Sequence, residues 1–546
     1  MEFVNPKCSN RATVLVPGAG YLRDGLGREI HKTPLFEIYQ GRFVIELIIE
    51  SIKKAGLSVV SFATSNENRE LLPLAEIIFE RYPDMAIDIS FVNGGHDSLY
   101  NTMIQLISDR NIPGDEPIAL YLGDTVLDLP NQHSTIWTKN FYCVVDLEHR
   151  DSRYQSASIS HTRIAAGFYF WTSYDEFRKE LMSATHANIN MILDLFEPSG
   201  VQQFITPNWI DFGNSAYKAN FKVNLTPSRF FNNVFVNDRK GIVIKESSNT
   251  QKLKNEIHFV SQLPESLKYL FPRVLKVIES KTSDKLTIEM DFFPSRSLAD
   301  IWFRKFEFPE VWEDIFNRIF EILNSEFSQF TCRRNGYFSD FIRDNMKTRV
   351  SQFINKLQLE KLFLGEGTIN GLRIREFWSL VDEVLNQVSL LDQMPLQIMH
   401  GDFCFSNILI QEETLLMRLV DPRGSFGDVG VYGSKLYDIA KLCHSVLGGY
   451  DHIVRDLFSL KSDEFEYKLA IPFLNYQRDV QSIFLRKLHE MNISAENGNM
   501  LSGLILTAIP IFHLDREDRA RAMFVRGLYQ MELSIQMISS SNISTR

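Results

Sequence analysis

Apolar positions follow two different patterns along this chain, with a change near residue 226. In the first part, residues 14–16, 59–62, 87–92 and 118–122 are short runs rich in β-branched and apolar residues, as buried strands are. Between them, residues 43–55 and 72–81 repeat apolar positions every three to four residues, the spacing of a helix with one buried face. This alternation predicts βαβ units and a mainly parallel sheet. A second section opens near Phe230. Val234-Phe235-Val236 and Ile242-Val243-Ile244 flank an Asn-Asp turn and predict a hairpin. From Leu298 onward the pattern predicts helices, broken by one hairpin whose strands are Ile408-Leu409-Ile410 and residues 415–420. No internal repeat or low-complexity linker separates the two parts, so the boundary near residues 222–230 is short. The expected domains are residues 1–225, α/β in class, and residues 226–546, α+β in class.

Composition narrows the classes of function. A 546-residue chain that is 44% hydrophobic and 23% charged has the make-up of a globular protein with more than one core. Its net charge of -10 argues against a general nucleic-acid binder, though not against nucleotides. No apolar run reaches bilayer-spanning length. Residues 504–514 come nearest and are broken by Pro510 and His513. Residues 1–11 lack the apolar core of a signal peptide, so the expected location is cytoplasmic. Five scattered cysteines without a C-x-x-C pair suggest reduced thiols rather than a disulfide frame or a zinc site. Cys404 reads as a small packing residue.

The densest chemistry lies in His400-Gly401-Asp402-Phe403-Cys404-Phe405-Ser406-Asn407, with Asp421-Pro422-Arg423-Gly424 beginning 14 residues after the asparagine. An H-x-D-x-x-x-x-N loop followed by an aspartate at a strand end is an arrangement suited to phosphoryl transfer. Asp402 would take the proton of a substrate hydroxyl, and Asn407 and Asp421 would hold Mg²⁺ on nucleotide phosphates. The hairpin between them would set Asn407 beside Asp421. Lys245 follows a strand and Glu256 lies in the next helical stretch, a pairing that can hold α- and β-phosphates. Met290, in Glu289-Met290-Asp291, would form the hinge beside an adenine. Arg423 has two open readings: a fork for a substrate anion, or a partner for a nearby carboxylate.

With "HGDFCFSNIL", "LVDPRGSFGD" and "YDIAKL", the segment from about Phe230 to Leu447 resembles the aminoglycoside phosphotransferase and choline kinase family. The resemblance implies a bilobal protein-kinase-like fold that phosphorylates a small-molecule hydroxyl with ATP and Mg²⁺. It implies Asp402 as base, Asn407 and Asp421 as metal ligands and Lys245 as phosphate clamp. The turn of residues 232–240 departs from the pattern in having no G-x-G-x-x-G loop.

In the first domain, Val14-Leu15-Val16-Pro17-Gly18-Ala19-Gly20 runs a strand into a glycine-rich turn, followed by Arg23 and Lys32. Glycines let backbone approach phosphates closely. Asn93-Gly94-Gly95-His96 could surround a base, and Asp124 and Asp211 each close an apolar stretch where a metal ligand belongs. Taken singly, each segment reads better as a turn capping a strand or helix. Taken in order, "LVPGAG", "KTPLFEI", "YLGDT", "AAGFYFW" and "WIDFGN" resemble the sugar-phosphate nucleotidyltransferase family over about residues 12–220. The resemblance implies a nucleotide-binding α/β fold that transfers a nucleoside monophosphate. It implies Gly18 and Gly20 at the nucleotide, Lys32 at the phosphates, and Asp124 and Asp211 at the metal; Gly95 joins them from the loop that could surround a base, and Arg23 as a cation that neutralises the triphosphate. Tyr21-Leu22 displaces the usual arginine, and Arg23 comes one place late.

Together the halves suggest a bifunctional enzyme that phosphorylates a sugar at its 1-position and then attaches a nucleotide from CTP or UTP, supplying a cell-surface polysaccharide. An amino-alcohol such as choline is the alternative acceptor, and a non-catalytic nucleotide sensor the alternative first domain. Phe303, Phe306, Phe308, Phe316 and Phe320 read as core of the helical part, and residues 515–519 as a solvated helix start.

Overall fold

In a computed structural model, the structure describes residues 12–18, 22–23, 29–30, 34–39, 41–92, 99–108, 110–146, 163–183, 201–212, 232–237, 240–279, 285–303, 310–332, 337–392, 395–411, 414–426, 429–463 and 465–544. The chain divides into two compact units, Met1–Phe221 and Lys222–Arg546. The expected boundary segment, residues 222–230, lies outside the described residues.

The first unit is mixed α/β around a mainly parallel sheet. Its strands of three or more residues are β1 (Thr13–Pro17), β2 (Val59–Ser65), β3 (Ala86–Val92), β4 (Ile118–Tyr121), β5 (Thr125–Leu127), β6 (Phe141–Asp146), β7 (Arg163–Trp171), β8 (Gln202–Ile205) and β9 (Trp209–Asp211). Seven of them form one sheet in the order β8-β6-β7-β4-β1-β2-β3, and β5 pairs with β9 separately. β1 is parallel to both β2 and β4, and β7 is the antiparallel member. Every residue of β1 is buried, as expected for a central parallel strand covered on both faces. Helix α1 (Val44–Lys54) turns Val44, Ile45, Ile48, Ile49 and Ile52 inward. Leu15, Leu120, Tyr169, Trp171 and Phe177 share one core cluster. α1 and α2 (Leu72–Glu80) fall where the period-3.6 pattern predicts them.

The second unit opens with an antiparallel sheet of β10 (Asn232–Asn237), β11 (Ile242–Ser247), β12 (Val274–Glu279) and β13 (Leu286–Asp291) in the order β10-β11-β13-β12. β10 and β11 are the expected hairpin, with Phe235 opposite Ile244. Helix α3 (Thr250–Gln262) starts at an Asn249 cap whose side chain accepts the Lys252 N–H. It seals the sheet through Leu253, which packs with Val243, Leu286, Ile288 and Met290.

The rest is helical but carries more strand than the pattern predicts. Besides the expected hairpin of Ile408–Gln411 and Leu416–Leu419, a four-stranded sheet joins Leu372–Arg373, Thr368–Ile369, Glu466–Ala470 and Ser459–Ser462. These strands are two to five residues long, too short for alternation to stand out. One is turned by Asp463, which accepts the Phe465 and Glu466 N–H groups. Phe303, Phe316 and Phe320 are buried; Phe306 and Phe308 lie outside the described residues. The expected solvated start at residues 515–519 is partly tied down, because Arg516 and Arg519 both reach Asp456. Among the described residues no helix is long and apolar enough to cross a membrane.

Candidate functional site

The strand Leu396–Ile398 is wholly buried and delivers the chain to His400. Gly401 then adopts φ +75, and a Cβ there would sit 2.3 Å from the Phe426 ring, so only glycine fits. Helix α4 (Lys435–Val446), capped by Ser434, pins this turn. The Asp438 carboxylate accepts the His400 N–H at 2.9 Å and the Gly401 N–H at 2.7 Å. Burial pushes its pKa up to about 7, opposed by those two donors.

His400 is a structural tie rather than a base. Its Nδ1 accepts the Asp402 N–H at 3.2 Å, and its Nε2 lies 3.1 Å from the Val420 carbonyl. Those partners require a neutral ring protonated at Nε2, and burial lowers its pKa to about 4.

Asp402 faces Lys441, with Oδ1 2.8 Å from Nζ, and accepts from the Asn407 amide at 3.0 Å. The same amide group also donates to the Asp402 carbonyl at 2.9 Å. With its NH₂ so occupied, Asn407 has Oδ1, 3.5 Å from the Ser406 hydroxyl, as the atom that could hold a cation. The hairpin works as the sequence predicts: Val420 N–H donates to the Asn407 carbonyl at 3.0 Å, which places Asp421 beside Asn407.

Asp421, at φ +56, collects two ammonium groups. Lys245 Nζ is 2.9 Å from Oδ1, and Lys252 Nζ is 2.9 Å from Oδ1 and 3.1 Å from Oδ2. Lys245 also meets Glu256 at 2.5 Å, both side chains being buried. Burial works against the Lys245 charge, but Asp421 and Glu256 more than offset it and hold the ammonium protonated.

The structure thus brings together Lys245 from β11, Glu256 from α3, Asp402 and Asn407 from the loop after His400, and Asp421 from the residues just past the hairpin. Met290 lies on β13, opposite Val243 of the strand that carries Lys245, and its side chain packs in the sheet core. Cys404 is a buried packing residue whose thiol burial pushes up to about 12. Sequence reasoning missed Lys252, Asp438 and Lys441. Lys252 and Glu256 are four apart on one helix, hence on one face, a signal that could have found the lysine.

In the first unit, β1 and β4 end side by side. Gly18 N–H donates to the Ala63 carbonyl at 2.8 Å, and Gly123 N–H to the Pro17 carbonyl at 3.3 Å. A Cβ on Gly123 would lie 2.9 Å from the Gly18 Cα, so the two turns touch backbone to backbone. Asp124 follows directly. Asp211 closes β9, opposite Thr125, and the Phe212 N–H donates to the Asp124 carbonyl at 2.7 Å. The two carboxylates are therefore neighbours. Burial and the Asp211 charge raise the Asp124 pKa to about 7.

A pair of adjacent acids held at a sheet end fits a divalent cation, whose charge would relieve their repulsion. Among the described residues no group of three or more His, Cys, Asp or Glu converges. A cation on either pair would therefore complete its shell with phosphate oxygens and water, as Mg²⁺ does. Gly20, Lys32 and Gly95 lie outside the described residues. Arg23 is placed by its backbone alone, in a two-residue strand opposite Glu29.

No protein-family model and no curated protein matches the sequence. Among solved structures, similar chains include a nucleoside-diphosphate-sugar pyrophosphorylase from Vibrio cholerae RC9, at 10% identity and a TM-score of 0.31, covering 38% of this chain and 99% of that one. HddC from Yersinia pseudotuberculosis, complexed with GMP-PN, is 13% identical with a TM-score of 0.28, covering 38% and 97%. A UDP-glucose pyrophosphorylase complexed with UDP-glucose is 12% identical with a TM-score of 0.28, covering 38% and 95%.

Proposed function

We propose that the chain is a bifunctional transferase, a small-molecule kinase in its second unit and a nucleotidyltransferase in its first. The observation that carries the kinase reading is the convergence of Asp402, Asn407 and Asp421 on one loop and hairpin, facing the Lys245–Glu256 pair. Asp402 accepts the proton of the acceptor hydroxyl. The acceptor oxygen bonds to the γ-phosphorus of ATP, the bond to the β,γ-bridging oxygen breaks, and ADP leaves. Lys245 and Lys252 offset phosphate charge, and Lys441 and Asn407 hold the Asp402 carboxylate in place. When bound, Mg²⁺ supplies charge neutralisation on the phosphates; Asn407 and Asp421 would hold it.

The Asp124–Asp211 pair at the glycine-lined sheet end supports the second activity. There an oxygen of the new phosphate ester would bond to the α-phosphorus of CTP or UTP, and pyrophosphate would leave. Mg²⁺ held by Asp124 and Asp211 would again serve the phosphates. The product would be a nucleotide-activated sugar of the kind that feeds cell-surface polysaccharide. A second reading keeps the kinase and makes the first unit a nucleotide sensor; the displaced Arg23 favours it.

The test is mass spectrometry of the full chain with ATP, CTP, UTP, Mg²⁺ and pooled hydroxyl compounds. A nucleoside-diphosphate product supports both activities, and a monophosphate alone supports the sensor. Asp402→Ala should abolish phosphorylation yet spare nucleotidyl transfer to a supplied phosphate ester, and Asp124→Ala should do the opposite. Loss of both activities in either folded variant would exclude two independent sites.

A further inference from the structure

Beside Asp402 lie two arginines that the phosphoryl-transfer chemistry leaves unused. Arg423 follows Asp421 by two residues, and its N–H donates to the His400 carbonyl at 2.9 Å. Its guanidinium rests 4.7 Å over the Phe341 ring and, among the described residues, donates only to neutral groups: the Tyr437 hydroxyl at 3.4 Å and Asn345 Oδ1 at 3.3 Å. Arg349 stacks 4.9 Å over Phe512, donates to the same Asn345 Oδ1 at 3.0 Å, and reaches the Ala508 carbonyl at 3.5 Å. Asn345 is locked in this orientation because its NH₂ donates to the Phe341 carbonyl at 2.7 Å.

Two full charges therefore share one amide oxygen, and among the described residues neither has a carboxylate partner. That is an unusual expense for paired guanidiniums, each offering five N–H donors in a rigid fork. Burial and the neighbouring Arg423 charge lower the Arg349 pKa, against the pull of Tyr437 and Asp402. Both arginines are only partly buried, and neither leaves a sealed, unpartnered nitrogen. Their remaining donors are thus open to a ligand.

The geometry relates this pair to the reacting hydroxyl. Tyr437 touches Arg423 and Lys441 touches Asp402. Tyr437 and Lys441 are four apart on α4, one helical turn, with Cβ atoms about 5–6 Å apart. Arg423 and Asp402 consequently stand side by side along one helix face.

We propose that the kinase acceptor carries an anionic group, carboxylate or phosphate, a few bonds from the hydroxyl that is phosphorylated, and that Arg349 and Arg423 bind it. The proposal rests on the kinase reading and selects among its acceptors: a sugar acid or sugar phosphate fits, whereas an amino-alcohol would be repelled. It also resolves the two readings of Arg423 in favour of the substrate.

The test measures ADP release by the full chain with ATP and Mg²⁺ against four acceptor pools: neutral, cationic, carboxylate-bearing and phosphate-bearing hydroxyl compounds. Turnover is expected only in one of the anionic pools, and which pool responds distinguishes carboxylate from phosphate. Arg349→Gln and Arg423→Gln should each raise KM for that acceptor by about 10- to 100-fold, the loss of a charge-assisted bond, with a smaller fall in kcat. Turnover of a neutral or cationic acceptor, unchanged by both substitutions, would overturn the proposal. No ADP release from any pool would instead count against the kinase reading. The arginines would then be judged by titration calorimetry with inorganic phosphate and with citrate: binding lost in the double variant supports the anion site, and no binding in the parent chain overturns it.

Discussion

Asp402 is held between an ammonium and an amide, so its carboxylate is aimed before any substrate arrives. Asp402→Asn keeps the shape but cannot take a proton. The kcat for phosphoryl transfer should fall by about 10²- to 10⁴-fold, the usual worth of a general base, while ATP affinity measured by calorimetry stays within a few-fold. Asp438 acts one step removed, as a positioning residue. It accepts two backbone N–H groups that have no alternative partner in the turn. Asp438→Asn offers one acceptor oxygen and sets an NH₂ against the other donor. It should cost about 1–3 kcal/mol, read from urea unfolding at constant m-value.

At the scale of elements, the small antiparallel sheet and α3 are coupled by the Lys245–Glu256 pair, and both are coupled to the hairpin through Asp421. A buried pair broken on one side leaves an uncompensated charge. Lys245→Met should therefore destabilise the second unit by about 3–5 kcal/mol and weaken ATP binding; denaturant unfolding and nucleotide titration check the two effects separately. Replacing both residues with apolar ones of similar size should recover much of the stability and none of the binding, which separates the structural from the ligand-binding role.

At the scale of the whole molecule, the acid pair of the first unit makes stability depend on pH and on Mg²⁺ together. Asp124 has a folded pKa near 7, above its ordinary value, because of burial and the Asp211 charge. A raised carboxylate binds protons more tightly when folded. Its stabilising contribution is complete below pH 4 and is lost as pH rises through about 7. A divalent cation between the two acids competes with that proton, so Mg²⁺ should raise the thermal midpoint more at pH 8 than at pH 5. Scanning calorimetry of the full chain at both pH values tests this, and Asp211→Asn should remove most of the pH difference. An equal Mg²⁺ effect at the two pH values would place the cation elsewhere.

Much of this was legible in the chain because it is written in local order. Residues 14–16, 59–62 and 118–122 became inner strands of the first sheet, since a continuous apolar run is buried on both faces, whereas residues 87–92, with Asp88 and Ser90 between apolar positions, became the half-exposed strand at its edge. The loop from His400 to Asn407 and the hairpin before Asp421 could be read for a similar reason, because their spacing along the sequence fixes their geometry. What required the tertiary structure are pairings between residues far apart in sequence. Lys252 reaches Asp421 across 169 positions, and Lys441 meets Asp402 from a later helix. The four-stranded sheet forms from pieces too short to announce themselves. Arg349 reaches the Arg423 side only because α4 and the helix Phe338–Phe353 both turn the same small cluster of rings and amides inward. The sequence by itself determined which residues could do the chemistry, since side-chain type and short spacing are local properties. Which charges find partners among the described residues was decided by packing between distant segments.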